Sequence, residues 1–145
     1  MTGPALVHLA NNRTIQLFIS PGSNGETREA TIHQWYRQSL KKQIPQLLEK
    51  WETKVGVANS EVRIRRMKTR WGSCNAKVGR IWLNLELAKK SPACLEYVFV
   101  HELVHLRERH HNEHFRSLMD TIMPSWRSYR DELNRAPLAH EKWMY

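Results

Sequence analysis

Residues Tyr97–Phe115 read YVFVHELVHLRERHHNEHF, and the rest of the chain can be arranged around them. Within this run His101, Glu102 and His105 form H-E-x-x-H. On a helix, residues four apart share one face about one turn from each other, so both imidazoles can reach one ion. Glu102 follows the first imidazole directly, where it can take a proton from a water that the ion acidifies. That is the geometry of a zinc hydrolase. Random placement of this chain's histidines and glutamates gives roughly 0.04 such matches, so the residues around the motif must decide.

They point the same way. Ser91 followed by Pro92 reads as an N-cap with proline at the first helical position, and Glu96 lies near that positive end. Val98, Phe99, Val100, Leu103, Val104 and Leu106 make the segment apolar nearly all round, as for a helix buried in a core. Two imidazoles and a carboxylate inside such a helix need partners, and a metal ion supplies them. A catalytic zinc takes three protein ligands and keeps one position open. The third ligand must come from beyond the helix, and the polar run Arg107–Asn112 suits a turn, with Asn112 capping a new helix from Glu113. His111 is the first choice in that turn and His110 the alternative, a choice decided by the resemblance described below more than by the turn; His114 reads as a solvent-facing or supporting residue. Glu108 reads as a surface charge beside Arg107 and Arg109, or as an acceptor for a ligand imidazole.

Upstream, Arg66–Leu87 reads RMKTRWGSCNAKVGRIWLNLEL. Together, W-G-S-C, a hairpin ending I-W-L-N, Y-V-x-V-H-E-L-V-H-L and H-N-E-H-F resemble the YgjP-like zinc metallopeptidase domain, a relative of the SprT-like proteases. The resemblance spans about residues 65–133. It implies a small zincin-like α+β domain, with a short antiparallel hairpin packed on the H-E-x-x-H helix and further helices around it. It also implies a third ligand six residues after the second motif histidine and an aromatic residue four further on; these are His111 and Phe115. The Trp71-Gly72-Ser73-Cys74 segment resembles the family's motif beside the active site. In such relatives a larger β-rich segment precedes residue 13, so residues 1–28 read as a remnant of it.

The remainder of the chain is consistent with one domain of 145 residues. Residues 13–19 alternate as a strand and Pro21–Gly25 reads as a turn. From Thr27 to about Val55 the pattern is helical, with Ala30, Trp35, Leu40, Leu47, Leu48 and Trp51 as the buried stripe and Pro45 expected to kink or interrupt it. Glu61–Met67 and Arg80–Asn84 read as two strands that would pair as a hairpin around the turn residues Asn75–Gly79. Trp71 and Trp82 read as core residues. Phe115, Leu118, Met119 and Ile122 define a short amphipathic helix ended by Pro124, and Ser125 is expected to cap a last helix through Asn134. The tail from Arg135 to Tyr145 carries no assignment.

Net charge is +9, which favours anionic partners. Arg63, Arg65, Arg66, Lys68, Arg70, Lys77 and Arg80 concentrate that charge near tryptophan, a pattern that could track a nucleic-acid backbone. No run approaches the roughly 20 apolar residues of a membrane span, no secretion signal is evident, and Cys74 and Cys94 form no C-x-x-C pair. A cytoplasmic protein with no membrane partner is the expectation.

The expected chemistry is peptide hydrolysis: one zinc on His101, His105 and His111, Glu102 as general base, and a protein or peptide as substrate. Trp71, Gly72 and Ser73 would lie along an edge strand that binds substrate. Tyr129, Arg130 and Arg127 are the side-chain candidates for oxyanion stabilisation. Two rivals stand beside it: hydrolysis of a phosphoanhydride by the same site, and a nucleic-acid-binding module with a structural zinc completed by His110 or His114. Manganese, cobalt or nickel would also suit three imidazoles.

Overall fold

The apolar run through the H-E-x-x-H motif becomes helix α2, Pro92–His105. Ser91 caps it, its hydroxyl accepting the Cys94 N–H at 3.4 Å, and Pro92 takes the first helical position, where no donor is needed. From Cys94 to His105 every residue except Glu96 is buried. Each large apolar side chain buried there contributes roughly 1.5–3 kcal/mol, enough to hold a helix that also takes three ionisable groups out of water.

The computed structural model describes Leu6–Ala10, Thr14–Phe18 and residues 25–135. In chain order it contains strands β1 (Leu6–Ala10) and β2 (Thr14–Phe18), helix α1 (Gly25–Val55), strands β3 (Glu61–Arg65), β4 (Gly72–Asn75) and β5 (Arg80–Asn84). A 3-10 turn (Leu85–Lys89) follows, then α2, α3 (Glu113–Ile122) and α4 (Trp126–Asn134). This is a small α+β fold with four helices, a three-stranded sheet and a two-stranded one. The strand expected at 13–19 is β2, and it pairs antiparallel with β1, which had no counterpart in the sequence reading. Of the expected turn at Pro21–Gly25, Gly25 begins α1, and the rest lies outside the described residues, as do residues 136–145 of the tail.

The three-stranded sheet corrects one expectation. Its order is β3-β5-β4, with β4 antiparallel to β5 but β3 parallel to it, Glu61 facing Arg80 and Arg65 facing Asn84. The hairpin is therefore β4–β5, and the sheet is mixed. Two residues explain this. Gly79, at φ +67°, allows the tight reversal between β4 and β5. Asn84, fully buried, gathers the segment between β3 and β4: its Nδ2 donates to the carbonyls of Met67 at 2.9 Å and Arg70 at 2.7 Å. Its Oδ1 accepts the Glu86 N–H at 3.0 Å, capping the 3-10 turn. The chain leaving β3 is thus turned past the end of β5 and runs back along the opposite edge.

Helix α1 stays one element through Pro45. Pro45 and Lys41 are both exposed, so the carbonyl that loses its helical donor faces water. Its buried stripe is Tyr36, Leu40, Leu47, Trp51 and Val55; Trp35 and Leu48 are only partly covered, and Ala30 is exposed. Two arginines tie α1 to the site-bearing elements: Arg37 donates to the Ile64 carbonyl at 2.7 Å, and Arg107, just past α2, donates to the Val55 carbonyl at 2.9 Å. In α3, Asn112 caps as expected, its Oδ1 accepting the Phe115 N–H at 2.9 Å. Ser125 stands at the N-cap position of α4, but its side chain makes no capping bond; with ψ near 13° it lacks the extended geometry a capping hydroxyl uses.

Candidate metal centre and cleft

Helix α2 and the turn after it bring three imidazoles together. The Nε2 atoms of His101 and His111 lie 3.1 Å apart, those of His105 and His101 3.2 Å, and those of His105 and His111 2.7 Å. Three nitrogens bound at about 2.0–2.1 Å to a tetrahedral zinc lie about 3.3 Å from one another, so the triangle is somewhat tighter than that and would take such an ion by opening by a few tenths of an ångström. His105 Nδ1 donates to the Glu108 carbonyl at 3.0 Å, which fixes its tautomer and turns the Nε2 lone pair toward the other two rings. Burial drives the pKa of all three down, reinforced at His101 and His111 by the neighbouring imidazoles; His111 falls to about 4. At neutral pH they are neutral, the form that coordinates a cation. Phe115 lies under all three rings, with centroids 4.9, 4.6 and 5.0 Å from His101, His105 and His111.

The other histidines of the segment are placed differently. Among the described residues, the cluster able to hold a metal is His101, His105 and His111. His114 Nδ1 donates to a Glu108 carboxylate oxygen at 3.0 Å, and that carboxylate also accepts from Asn112 Nδ2 and the His110 N–H. Glu108 thus shapes the turn that presents His111, while its backbone carbonyl, not its carboxylate, holds a ring of the triad. The carboxylate, drawn below its ordinary range by these donors, stays ionised.

Glu102 is 2% exposed, and its Oε2 has no hydrogen-bond partner among the described residues. Burial raises its pKa to about 8, against a lowering pull from Arg70. Across from it, strand β4 comes unusually close: a Cβ at Gly72 would lie 2.9 Å from Glu102 Oε2 and 2.9 Å from Val98 Cγ1. Glycine inside a strand signals such an approach. Cys74, two residues on, is a free thiol pushed up to about 12 by burial and by Glu102, so it stays protonated.

These groups open into a cleft of about 870 Å³ between β4, the β4–β5 turn and the triad, with Arg70, Ser73, Lys77 and Arg109 on its walls. Of the substrate-binding candidates Trp71, Gly72, Ser73, Tyr129 and Arg130, Gly72 and Ser73 line it. Trp71 is buried at 2% exposure, whereas Trp82 is partly open on the outer face of the sheet, beneath the Arg65 guanidinium at 4.5 Å. The α4 candidates lie outside the cleft lining: Tyr129 packs near Tyr97, Arg127 pairs with Asp120 at 2.6 Å, and Arg130 pairs with Asp131 at 3.1 Å. The cations that do reach it are Arg70 and Lys77, which the sequence places in a basic cluster suited to a nucleic-acid backbone, and Arg109, which it marks only as a surface charge.

Residues 4–136 match the YgjP-like metallopeptidase domain model. The chain belongs to this family. The YgjP-like match runs well beyond the 65–133 span covered by the motifs. Among solved structures, the metallopeptidase zymogen abylysin of Pyrococcus abyssi is similar, with a TM-score of 0.59 and 24% identity over 63% of this chain and 92% of that one; the likeness is one of fold. No curated protein matches the chain. No helix among the described residues is long and apolar enough to cross a membrane.

Proposed function

We propose that this YgjP-like domain is a zinc-dependent peptidase of zincin-like design, with His101, His105 and His111 as ligands and Glu102 as general base. The observation that carries it is the convergence of three neutral Nε2 atoms at 2.7–3.2 Å beside a buried carboxylate at the floor of an open cleft. A zinc ion held by these three imidazoles would supply Lewis acidity toward a water and toward the carbonyl under attack. Glu102 then handles the proton. Without a cation its carboxyl is neutral up to about pH 8; a neighbouring positive charge favours the ionised form, the one able to accept a proton. Once charged, Glu102 takes the proton of the attacking water and returns it to the leaving amine.

Strand β4 is the free edge of the sheet along this cleft, and an extended peptide can add to it through main-chain hydrogen bonds that do not depend on sequence. Arg70 and Arg109 replace the α4 residues as candidates to stabilise a developing oxyanion. The test is metal content and proteolysis in parallel. Wild type should hold about one zinc per chain and cleave unfolded protein; His111→Ala should lose most of the metal, and Glu102→Gln should keep it but lose cleavage. Zinc retained at full stoichiometry in His111→Ala would refute the ligand set. Phosphoanhydride hydrolysis is the second reading, favoured by Arg70, Lys77 and Arg109 on the cleft walls; release of phosphate or pyrophosphate from nucleotides, with no peptide cleavage, would select it.

A further inference from the structure

A second cavity, of about 330 Å³, adjoins the cleft across β4 and shares Arg70 and Ser73 with it. Arg65, Arg66 and Lys68 complete its cationic wall. The loop that bears them is held, not loose, because buried Asn84 binds the carbonyls of Met67 and Arg70. Part of the charge here lacks a carboxylate partner. Arg63 and Arg80 are tied to Glu61 at 2.6 and 3.0 Å, and Arg66 sits 3.7 Å from both Glu29 and Glu86. Among the described residues no carboxylate lies within 4.0 Å of Arg65, Lys68 or Arg70.

The alternation of β4 decides what meets this pocket. Gly72 and Cys74 face Glu102, whereas Ser73 lies opposite Trp82 on the other face of the sheet, where Arg65 also lies. A peptide strand added to β4 alternates likewise, so the side chain level with Ser73 stands on the same outer face as the pocket that Ser73 lines.

Building on the peptidase reading, we propose that this pocket is a specificity subsite for an acidic side chain of the substrate polypeptide, a carboxylate or a phosphorylated serine or threonine. A nucleic-acid strand fits less well. It needs a continuous phosphate track, and Glu61, Glu86 and Glu29 interrupt the basic face on either side of the pocket. The three unpaired cations instead converge on one small cavity whose wall is shared with the cleft.

The test is binding of labelled extended peptides to the full zinc-loaded chain carrying Glu102→Gln, followed by anisotropy. Each peptide carries one Glu, moved position by position, against a Gln counterpart. One register should show about tenfold tighter binding of the Glu peptide, and the ratio should collapse toward one in Lys68→Ala and in 0.5 M salt, about the level where screening shortens to a few ångströms. Lys68→Glu should reverse the preference toward a Lys peptide. Lys68 is exposed in a loop, so these variants fold as the parent does. Equal Glu and Gln binding in every register would overturn the proposal, as would single-stranded DNA or a nucleoside triphosphate binding through Lys68 while peptides show no preference. Failure of the peptidase reading is distinguished because it appears in wild-type turnover: no peptide cleaved, yet a Lys68-dependent Glu preference retained in binding.

Discussion

Replacing Gly72 with alanine adds a single methyl group at the closest approach between strand β4 and helix α2. Its carbon would lie 2.9 Å from Glu102 Oε2, 2.9 Å from Val98 Cγ1 and 3.0 Å from Glu102 Cγ. Ordinary carbon contacts are about 3.5–4.0 Å, so either β4 withdraws or the Glu102 side chain moves by about 0.5–1 Å. Val98 and Glu102 both belong to a helix with no free side to retreat to, and overpacking of this kind costs about 1–3 kcal/mol. Loss of glycine's freedom in the unfolded chain returns about 0.4–1 kcal/mol, leaving a net destabilisation of about 1–2 kcal/mol. In thermal unfolding that is a fall in Tm of about 3–6 °C. None of the three imidazoles supplies these nearest atoms, so zinc content should remain that of wild type. Glu102, the general base proposed above, is by contrast displaced, and a misplacement approaching 1 Å should lower kcat/KM by up to about 100-fold. Unchanged Tm together with kcat/KM within twofold of wild type would refute the claim that β4 positions Glu102. Loss of zinc would refute it differently, by showing that the strand supports the ligands.

Phe115→Ala removes the surface beneath all three imidazoles; it should destabilise by about 3–5 kcal/mol and weaken zinc affinity, measured by competition with a chelator. Asn84→Ala leaves the Met67 and Arg70 carbonyls without their donor and should cost about 1–3 kcal/mol in urea unfolding, with Asn84→Asp no better because a carboxylate cannot donate. The metal-free protein should lose stability as pH rises from 6.5 to 8.5. Folded Glu102 keeps its proton to about pH 8 while the unfolded chain releases it near 4.5, so its contribution is full below 4.5 and is lost as pH rises through 8. At about 1.4 kcal/mol per pH unit for one proton, the loss relative to Glu102→Gln is about 2 kcal/mol, and parallel unfolding curves for the two proteins would contradict it. On the acid side His111 acts in the opposite sense, its contribution present above about 6.5 and lost as pH falls through about 4.

What could be read from the sequence was written in local chemistry. A serine before a proline starts α2, an asparagine three residues before Phe115 starts α3, and H-E-x-x-H sets two imidazoles on one helical face. Each signal needs only neighbours within one or two turns. The parallel pairing of β3 with β5 escaped because it is decided by Asn84, whose partners Met67 and Arg70 are 17 and 14 residues away in sequence. Tyr36, not Trp35, faces the core because helical phase over 31 residues is fixed by what α1 packs against. The basic cluster was visible as composition, but which cations are neutralised depends on Glu61, Glu86 and Glu29 arriving from three separate elements. The sequence offers the Glu108 side chain as an acceptor for a ring of the triad; that part falls instead to its backbone carbonyl, which every residue possesses and no sequence motif can advertise.

An unpaired sheet edge is also an invitation to another copy of the same chain. Strand β4 spans only Gly72–Asn75, with Arg70 before it and Lys77 after it. Two such edges brought together would oppose like charges across a contact four residues long, too short to outweigh the repulsion by main-chain bonding. The edge can therefore stay open in a concentrated solution of the protein while still accepting a strand of complementary charge. Added salt weakens that guard, so self-association through β4 should grow with ionic strength, in the same range where the proposed recognition of acidic chains should decline.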